Sequence, residues 1–189
     1  HPTPPSEHTR KAPYPSPTGR GKDVTLANFK TLDDLPADLS GKVALVRVDL
    51  NLPMKDGSAT DVTRVEAAKP TILELADKGA KVLLLAHFGR PKGQRNSTMS
   101  TSYVQGDVDR VLGREVMFIS EVSGPSVEQS LGILRNGDIG LLENTRFWPG
   151  EEANDPDFAK AIAAHGDIYV NDAFSAAHRA HASTEGLTH

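Results

Sequence analysis

Cysteine is absent from all 189 residues, which excludes a disulfide framework and any thiolate metal site. Long apolar runs are missing as well. The longest, such as residues 82–86, hold five residues, where a membrane-spanning helix needs about 20. The N-terminal stretch has no apolar segment of the kind a secretory signal requires, so the expectation is a soluble, cytoplasmic protein. Basic charge is also scarce. The formal net charge is −4, but residues 1–22 carry +3 from Arg10, Lys11, Arg20 and Lys22 against Glu7, leaving −7 for the rest. A globular part this acidic lacks the broad basic face that nucleic-acid binding rests on. Any anion it takes must be met by a few basic residues gathered in one place.

The chain divides by composition. Six of the thirteen prolines fall in residues 1–22, with no apolar periodicity to offset the entropy of ordering. That segment is read as a disordered Pro-rich tail or leader, and residues 23–189 as a single domain. Hydrophobic content of 38% suffices for one core.

Five short apolar runs follow: Val43-Ala44-Leu45-Val46-Arg47-Val48, Val82-Leu83-Leu84-Leu85-Ala86, Val116-Met117-Phe118-Ile119, Ile139-Gly140-Leu141-Leu142 and Ile168-Tyr169-Val170. They lack polar alternation, as strands buried on both faces do. Helical patterns lie between them. Thr63-Arg64-Val65-Glu66 matches a capping box, with Thr63 as N-cap, Arg64 as first helical residue and Pro70 as a break or restart. Val104, Val108, Val111 and Leu112 share a helical face, as do Val127, Leu131 and Leu134, and Asp155-Pro156 opens a further helix. Strand alternating with helix predicts a three-layer α/β/α, Rossmann-like fold, its open and mainly parallel sheet having about five to six strands.

In such sheets ligands bind outside the carboxyl ends of the strands. The first run delivers Asp49-Leu50-Asn51 there, the second His87-Phe88-Gly89-Arg90-Pro91, the fourth Glu143-Asn144-Thr145-Arg146, and the fifth Asn171-Asp172 with His178-Arg179-Ala180-His181 soon after. A lone strand-end arginine is more often an ion-pair partner than a ligand contact, and Asp49 has the matching bland reading. Three arginines and three histidines on one edge are harder to explain as packing. They make a compact anion site in an acidic domain, and the guanidinium fork suits phosphate or carboxylate. Arg64, at a helix start, reads either as a solvent-facing arginine or as a cation for a phosphoryl group in transfer. His178 and His181 have no third ligand nearby, so no metal site is expected. Neither a Gly-rich dinucleotide fingerprint nor a Walker A loop occurs.

These strand-end blocks, with Arg47-Val48-Asp49-Leu50-Asn51-Leu52-Pro53, Leu142-Glu143-Asn144-Thr145-Arg146-Phe147 and Tyr169-Val170-Asn171-Asp172-Ala173-Phe174 among them, resemble the successive signature blocks of the phosphoglycerate kinases. The likeness runs from about Phe29 to Gly186. It implies reversible phosphoryl transfer between 1,3-bisphosphoglycerate and ADP, giving 3-phosphoglycerate and ATP in glycolysis, by a two-domain, usually monomeric enzyme. The substrate-contacting set it implies is Asp49, Leu50, Asn51, Arg64, His87, Phe88, Gly89, Arg90, Arg146 and Arg179. Arg64 is then the transition-state arginine, and His178 and His181 lie in a surrounding basic patch. It further implies that the Mg-ATP or Mg-ADP site belongs to a C-terminal domain beyond Thr188-His189. By itself this chain would then bind no nucleotide and be inactive. A stand-alone, non-catalytic module for phosphorylated three-carbon acids is the alternative. An interaction remnant is a third reading, disfavoured by the intact basic set.

Overall fold

The computed structural model describes residues 31–173 and 179–189. The chain divides into two units, His1–Thr31 and Leu32–His189. The first, with the Pro-rich segment expected to be disordered, lies almost wholly outside the described residues.

The second unit runs β1 (Val43–Arg47), β2 (Met54–Lys55), β3 (Ser58–Ala59), α1 (Thr63–Asp77), β4 (Lys81–Leu85), α2 (Gln105–Leu112), β5 (Val116–Ile119), α3 (Pro125–Ile133), β6 (Ile139–Leu142), α4 (Pro149–Glu152), α5 (Pro156–Ala163) and β7 (Ile168–Asn171). All five apolar runs become strands of one parallel sheet in the order β5-β6-β4-β1-β7. The fold is the expected three-layer α/β arrangement.

Each central strand feeds two cores by simple alternation. In β4, Val82 and Leu84 join Val65 and Ile72 of α1 and Val108 and Leu112 of α2. Leu83 and Leu85 join Val127 of α3 and Ile162 of α5 on the other face. Each fully buried leucine contributes about 1.5–3 kcal/mol by leaving water, so a shift of register by one residue is strongly opposed. In β1 the same alternation sends Ala44 and Val46 to the first face and Leu45 to the second. Arg47, two residues beyond Leu45, is therefore carried to the second face, inside the protein.

The connections set the site. Those after β1 and β4 return through α1 and α2 on one face, and those after β5 and β6 through α3 and α5 on the other. The loops that follow the neighbouring strands β4 and β6 thus depart to opposite faces, and a crevice opens between their carboxyl ends.

Three local expectations are corrected. Thr63 is not the N-cap of α1; it is the first helical residue, Val62 occupies the cap position without a side-chain bond, and Asp61 Oδ1 accepts the Thr63 N–H at 2.8 Å. A carboxylate is a stronger acceptor than a hydroxyl, so the start is held one residue earlier and Arg64 is the second helical residue. Pro70 neither breaks nor restarts α1, which runs through it for 15 residues. Val65, Ala68, Ile72, Leu75 and Ala76 are all buried along it, and that packing outweighs one missing hydrogen bond. The β2–β3 hairpin was not anticipated, although its two-residue Asp56-Gly57 turn has φ of 51° and 81°, values this dipeptide favours.

Candidate functional site

Four of the five strands lead at their carboxyl ends to the candidate site residues, and the loops there are tied to one another before any ligand is considered. After β1, both carboxylate oxygens of Asp49 accept from Arg64 Nη1, at 3.0 and 3.1 Å. The same Nη1 reaches the Asn51 carbonyl at 3.1 Å. All of Arg64's bonds to described residues run through Nη1, and its side chain is 48% exposed. Nε and Nη2 therefore remain to face a ligand. The Asn51 side-chain oxygen accepts the N–H of Gly89 at 2.9 Å, joining the loop after β1 to the loop after β4. Gly89 has φ 65°, and a Cβ there would stand 3.1 Å from the Met99 sulfur, so glycine is required twice over.

The loop after β6 is built on two buried polar residues. The Glu143 carboxylate accepts from the Ser100 hydroxyl at 2.8 Å, the Thr101 N–H at 3.0 Å and the Asn144 N–H at 2.7 Å. Asn144 donates to the carbonyls of Phe88 and Met99 and accepts from the Arg146 N–H at 3.1 Å. The Arg146 side chain is thereby aimed into the crevice. It is 3% exposed and reaches the Gly89 carbonyl through Nη1 at 3.2 Å. Its Nε has no hydrogen-bond partner among the described residues, with Glu152 only at 3.6 Å. A buried guanidinium N–H without an acceptor costs free energy until an anion supplies one.

Arg90 is exposed and makes no hydrogen bond or ion pair among the described residues, so its fork is available. Arg179 is exposed too, and its carbonyl is held by the Thr184 hydroxyl at 2.6 Å. The electrostatics agree with an anion site. His87 is buried, and its pKa is pushed down to about 3, by burial first and then by Arg47 and Arg146, with Asp49 opposing and Arg179 adding to the depression. His181 is lowered by burial as well, against the pull of Glu151. Arg146 is lowered by burial, relieved by Glu152 and aggravated by Arg179 and Arg90. Several cations crowd one edge, and negative charge placed among them is stabilised.

The structure brings together Asp49, Asn51, Arg64, His87, Gly89 and Arg146, with Arg179 close enough to influence His87 and Arg146. Leu50 is 1% exposed within the core, so only its backbone can meet a ligand. Phe88 packs against that core and contributes its carbonyl to Asn144. His178 lies outside the described residues. Among the described residues no group of three or more His, Asp or Glu is placed to hold a metal.

Sequence reasoning missed three interior residues. Arg47 is 1% exposed; its signal was a charge inside an apolar strand run, which the two-faced burial of β1 turns inward. Glu151 and Ser183, both 0% exposed, left no comparable signal.

A family model described as phosphoglycerate kinase matches residues 32–189. The chain belongs to the phosphoglycerate kinase family. It is 64% identical over 159 residues to the phosphoglycerate kinase of Sphingopyxis alaskensis, a match covering 84% of this chain and 40% of that relative. It is 61% identical over 164 residues to that of Rhizobium johnstonii, covering 87% and 41%. The solved structure of phosphoglycerate kinase from Coxiella burnetii superposes with a TM-score of 0.74 at 36% identity, covering 84% of this chain and 39% of that one. The structure from Pyrococcus horikoshii gives 0.72 at 32%, covering 82% and 39%. The chain thus spans about two-fifths of the length of the phosphoglycerate kinases it matches. The strand-end blocks that carried the resemblance are the ones that build the basic edge.

Proposed function

We propose that this edge holds 3-phosphoglycerate as phosphoryl acceptor, and 1,3-bisphosphoglycerate in the reverse direction, in the phosphoglycerate kinase reaction. The observation that carries the reading is Arg146, buried with an Nε that makes no hydrogen bond among the described residues and only a 3.6 Å ion pair to Glu152, beside the exposed forks of Arg90 and Arg179 and a histidine that stays neutral. Such a set suits a small molecule with a phosphate at one end and a carboxylate at the other. Arg64 faces solvent, with its side chain 48% exposed, and is at the same time held. Asp49 and the Asn51 carbonyl restrain Nη1, which preorganises the rest of the guanidinium.

In the forward reaction a carboxylate oxygen of 3-phosphoglycerate forms a bond to the γ-phosphorus of ATP. The bond from that phosphorus to the β,γ-bridging oxygen breaks, and ADP leaves with the electron pair. Charge grows on the transferring group, and Arg64, already fixed at a helix start, stabilises it without reorganisation. Magnesium supplies charge neutralisation on the nucleotide phosphates when bound. The described residues offer it no carboxylate cluster, and Mg-ATP or Mg-ADP is assigned to the part of the relatives' length these residues do not match. The 189-residue polypeptide by itself therefore binds acceptor and does not turn over. The reading places the enzyme among cytoplasmic, monomeric glycolytic proteins; no helix of the described residues is long and apolar enough to cross a membrane.

Calorimetry tests it. 3-Phosphoglycerate is expected to bind the polypeptide with a Kd between roughly 10 μM and 1 mM, about −7 to −4 kcal/mol. Glycerol 3-phosphate, lacking the carboxylate, is expected to bind at least tenfold more weakly. Equal affinity for the two, or for inorganic phosphate, would reduce the site to a general anion patch.

A further inference from the structure

Behind the edge lies a buried chain of polar contacts that the acceptor site does not use directly. The Glu151 carboxylate of α4 accepts the Ser183 hydroxyl at 2.5 Å and the Ser183 N–H at 3.0 Å. Ser183 Oγ, its proton committed to Glu151, accepts from Arg47 Nε at 2.9 Å. Arg47 Nη1 donates to the carbonyls of Val48 and Leu85. Its Nη2 lies 2.8 Å from His87 Nδ1. Arginine has no acceptor to offer, so the direction of that last bond is set: Nη2–H donates and Nδ1 accepts. A neutral imidazole that accepts at Nδ1 carries its proton on Nε2.

The four residues come from four separate parts of the chain. β1 supplies Arg47, the loop after β4 supplies His87, and α4 and the C-terminal segment supply Glu151 and Ser183. Glu151 also accepts the Ala182 N–H with its own carbonyl at 3.0 Å, and Tyr169 donates to the Ser183 carbonyl at 2.8 Å, so Ser183 has little freedom. Arg47, Glu151 and Ser183 are each at most 1% exposed. A buried cation and a buried anion bridged by one hydroxyl are costly to assemble unless each bond is made, which favours a single arrangement.

We propose that Arg47, held by Glu151 through Ser183, is a positioning residue that fixes His87 in the Nε2–H tautomer, so that the ring presents a hydrogen-bond donor to the bound acceptor anion. Arg47 supplies no fork to the ligand. It converts His87 from a ring of undetermined polarity into a neutral donor, which discriminates in favour of a carboxylate or phosphate oxygen over a neutral group. The device rests on the acceptor-site reading only for the identity of the anion.

His165 provides a reference within the same molecule. Its Nε2 accepts the Gly124 N–H at 3.0 Å, so its proton belongs on Nδ1, the opposite tautomer. Long-range 1H–15N correlation spectra of the 189-residue polypeptide at pH 7.5, with His87 assigned by its disappearance in His87→Gln, read both rings. The expected result is Nε2–H for His87 and Nδ1–H for His165. In Ser183→Ala and Arg47→Lys the His87 nitrogen shifts converge as the tautomers mix, while those of His165 stay. The 3-phosphoglycerate Kd of Ser183→Ala rises about tenfold. Nδ1–H on His87 in the unsubstituted protein, or an unchanged His87 preference in both variants, overturns the proposal, and the first of these needs no variant to fold. A His87 preference that responds to Ser183→Ala in a protein that ignores 3-phosphoglycerate leaves the tautomer device standing and refutes the substrate.

Discussion

Acid should destabilise this domain through His87 well above the range in which carboxylates titrate. The ring is buried, and burial together with Arg47 and Arg146 holds its pKa at about 3, against about 6.5 for an unfolded histidine. The unfolded state then binds a proton that the folded state refuses. The folded-state value is the lower one, so the histidine's contribution is complete above pH 6.5 and is lost as pH falls toward 3. From pH 7.5 to pH 5 the loss is about 2 kcal/mol, taking about 1.4 kcal/mol for each unit below the unfolded pKa. Other groups also respond to acid, so the clean quantity is a difference. Urea unfolding of the unsubstituted protein and of His87→Gln, at pH 7.5, 6.5, 5.5 and 5, should show the former losing about 2 kcal/mol more than the latter over the range. Glutamine retains an acceptor for Arg47 Nη2 and has no proton equilibrium. Parallel pH slopes would mean that His87 protonates as readily in the folded protein as outside it, and the cationic crowding at the edge would be refuted.

Other perturbations separate structure from binding. Glu143→Ala, which strands the buried Thr101 and Asn144 N–H groups, should cost about 2–5 kcal/mol in urea unfolding; a loss under 0.5 kcal/mol would mean the loop is held otherwise. Gly166→Ala should cost about 1–3 kcal/mol by overpacking, because a Cβ there would lie 2.5 Å from Leu45 Cγ, and a neutral result would show that the loop before β7 yields easily. Arg90→Lys should weaken 3-phosphoglycerate binding about tenfold although charge is retained; equal affinity by calorimetry would reduce Arg90 to a diffuse field. In an enzyme carrying the remaining length of its relatives, Arg64→Ala should lower kcat by about 10²–10³ with a much smaller change in KM. A fall confined to KM would make Arg64 a binding residue only.

The parallel sheet was legible because strands buried on both faces leave continuous apolar runs, and the helices between them leave only one topology class. The basic edge followed from counting what each run delivers at its carboxyl end. Legibility failed where the deciding partner is distant in sequence or chemically stronger than the expected one. Ser183 meets Arg47 across 136 positions, and no local pattern marks either Glu151 or Ser183. Thr63 looked like a cap until Asp61 outcompeted it. Pro70 looked like a break because its missing N–H is visible in sequence while the packing of Val65, Ile72 and Leu75 against the sheet is not. Arg47 was the one interior residue that could have been found: an arginine second after a buried leucine in a two-faced strand has nowhere to go but inward.

The acceptor site itself is tested most directly by titrating the 15N-labelled 189-residue polypeptide with 3-phosphoglycerate and following its amide and guanidinium resonances. The expected shifts fall at Asn51, Gly89, Arg90, Arg146 and Arg179, with the Arg146 Nε–H moving as it gains an acceptor, and they saturate with a Kd between roughly 10 μM and 1 mM. ATP at the same concentrations should leave these resonances in place. Shifts gathered instead at the amino edge of the sheet, around Val43, Lys81 and Ile139, or no response at millimolar ligand, would contradict the assignment of this edge as a 3-phosphoglycerate site.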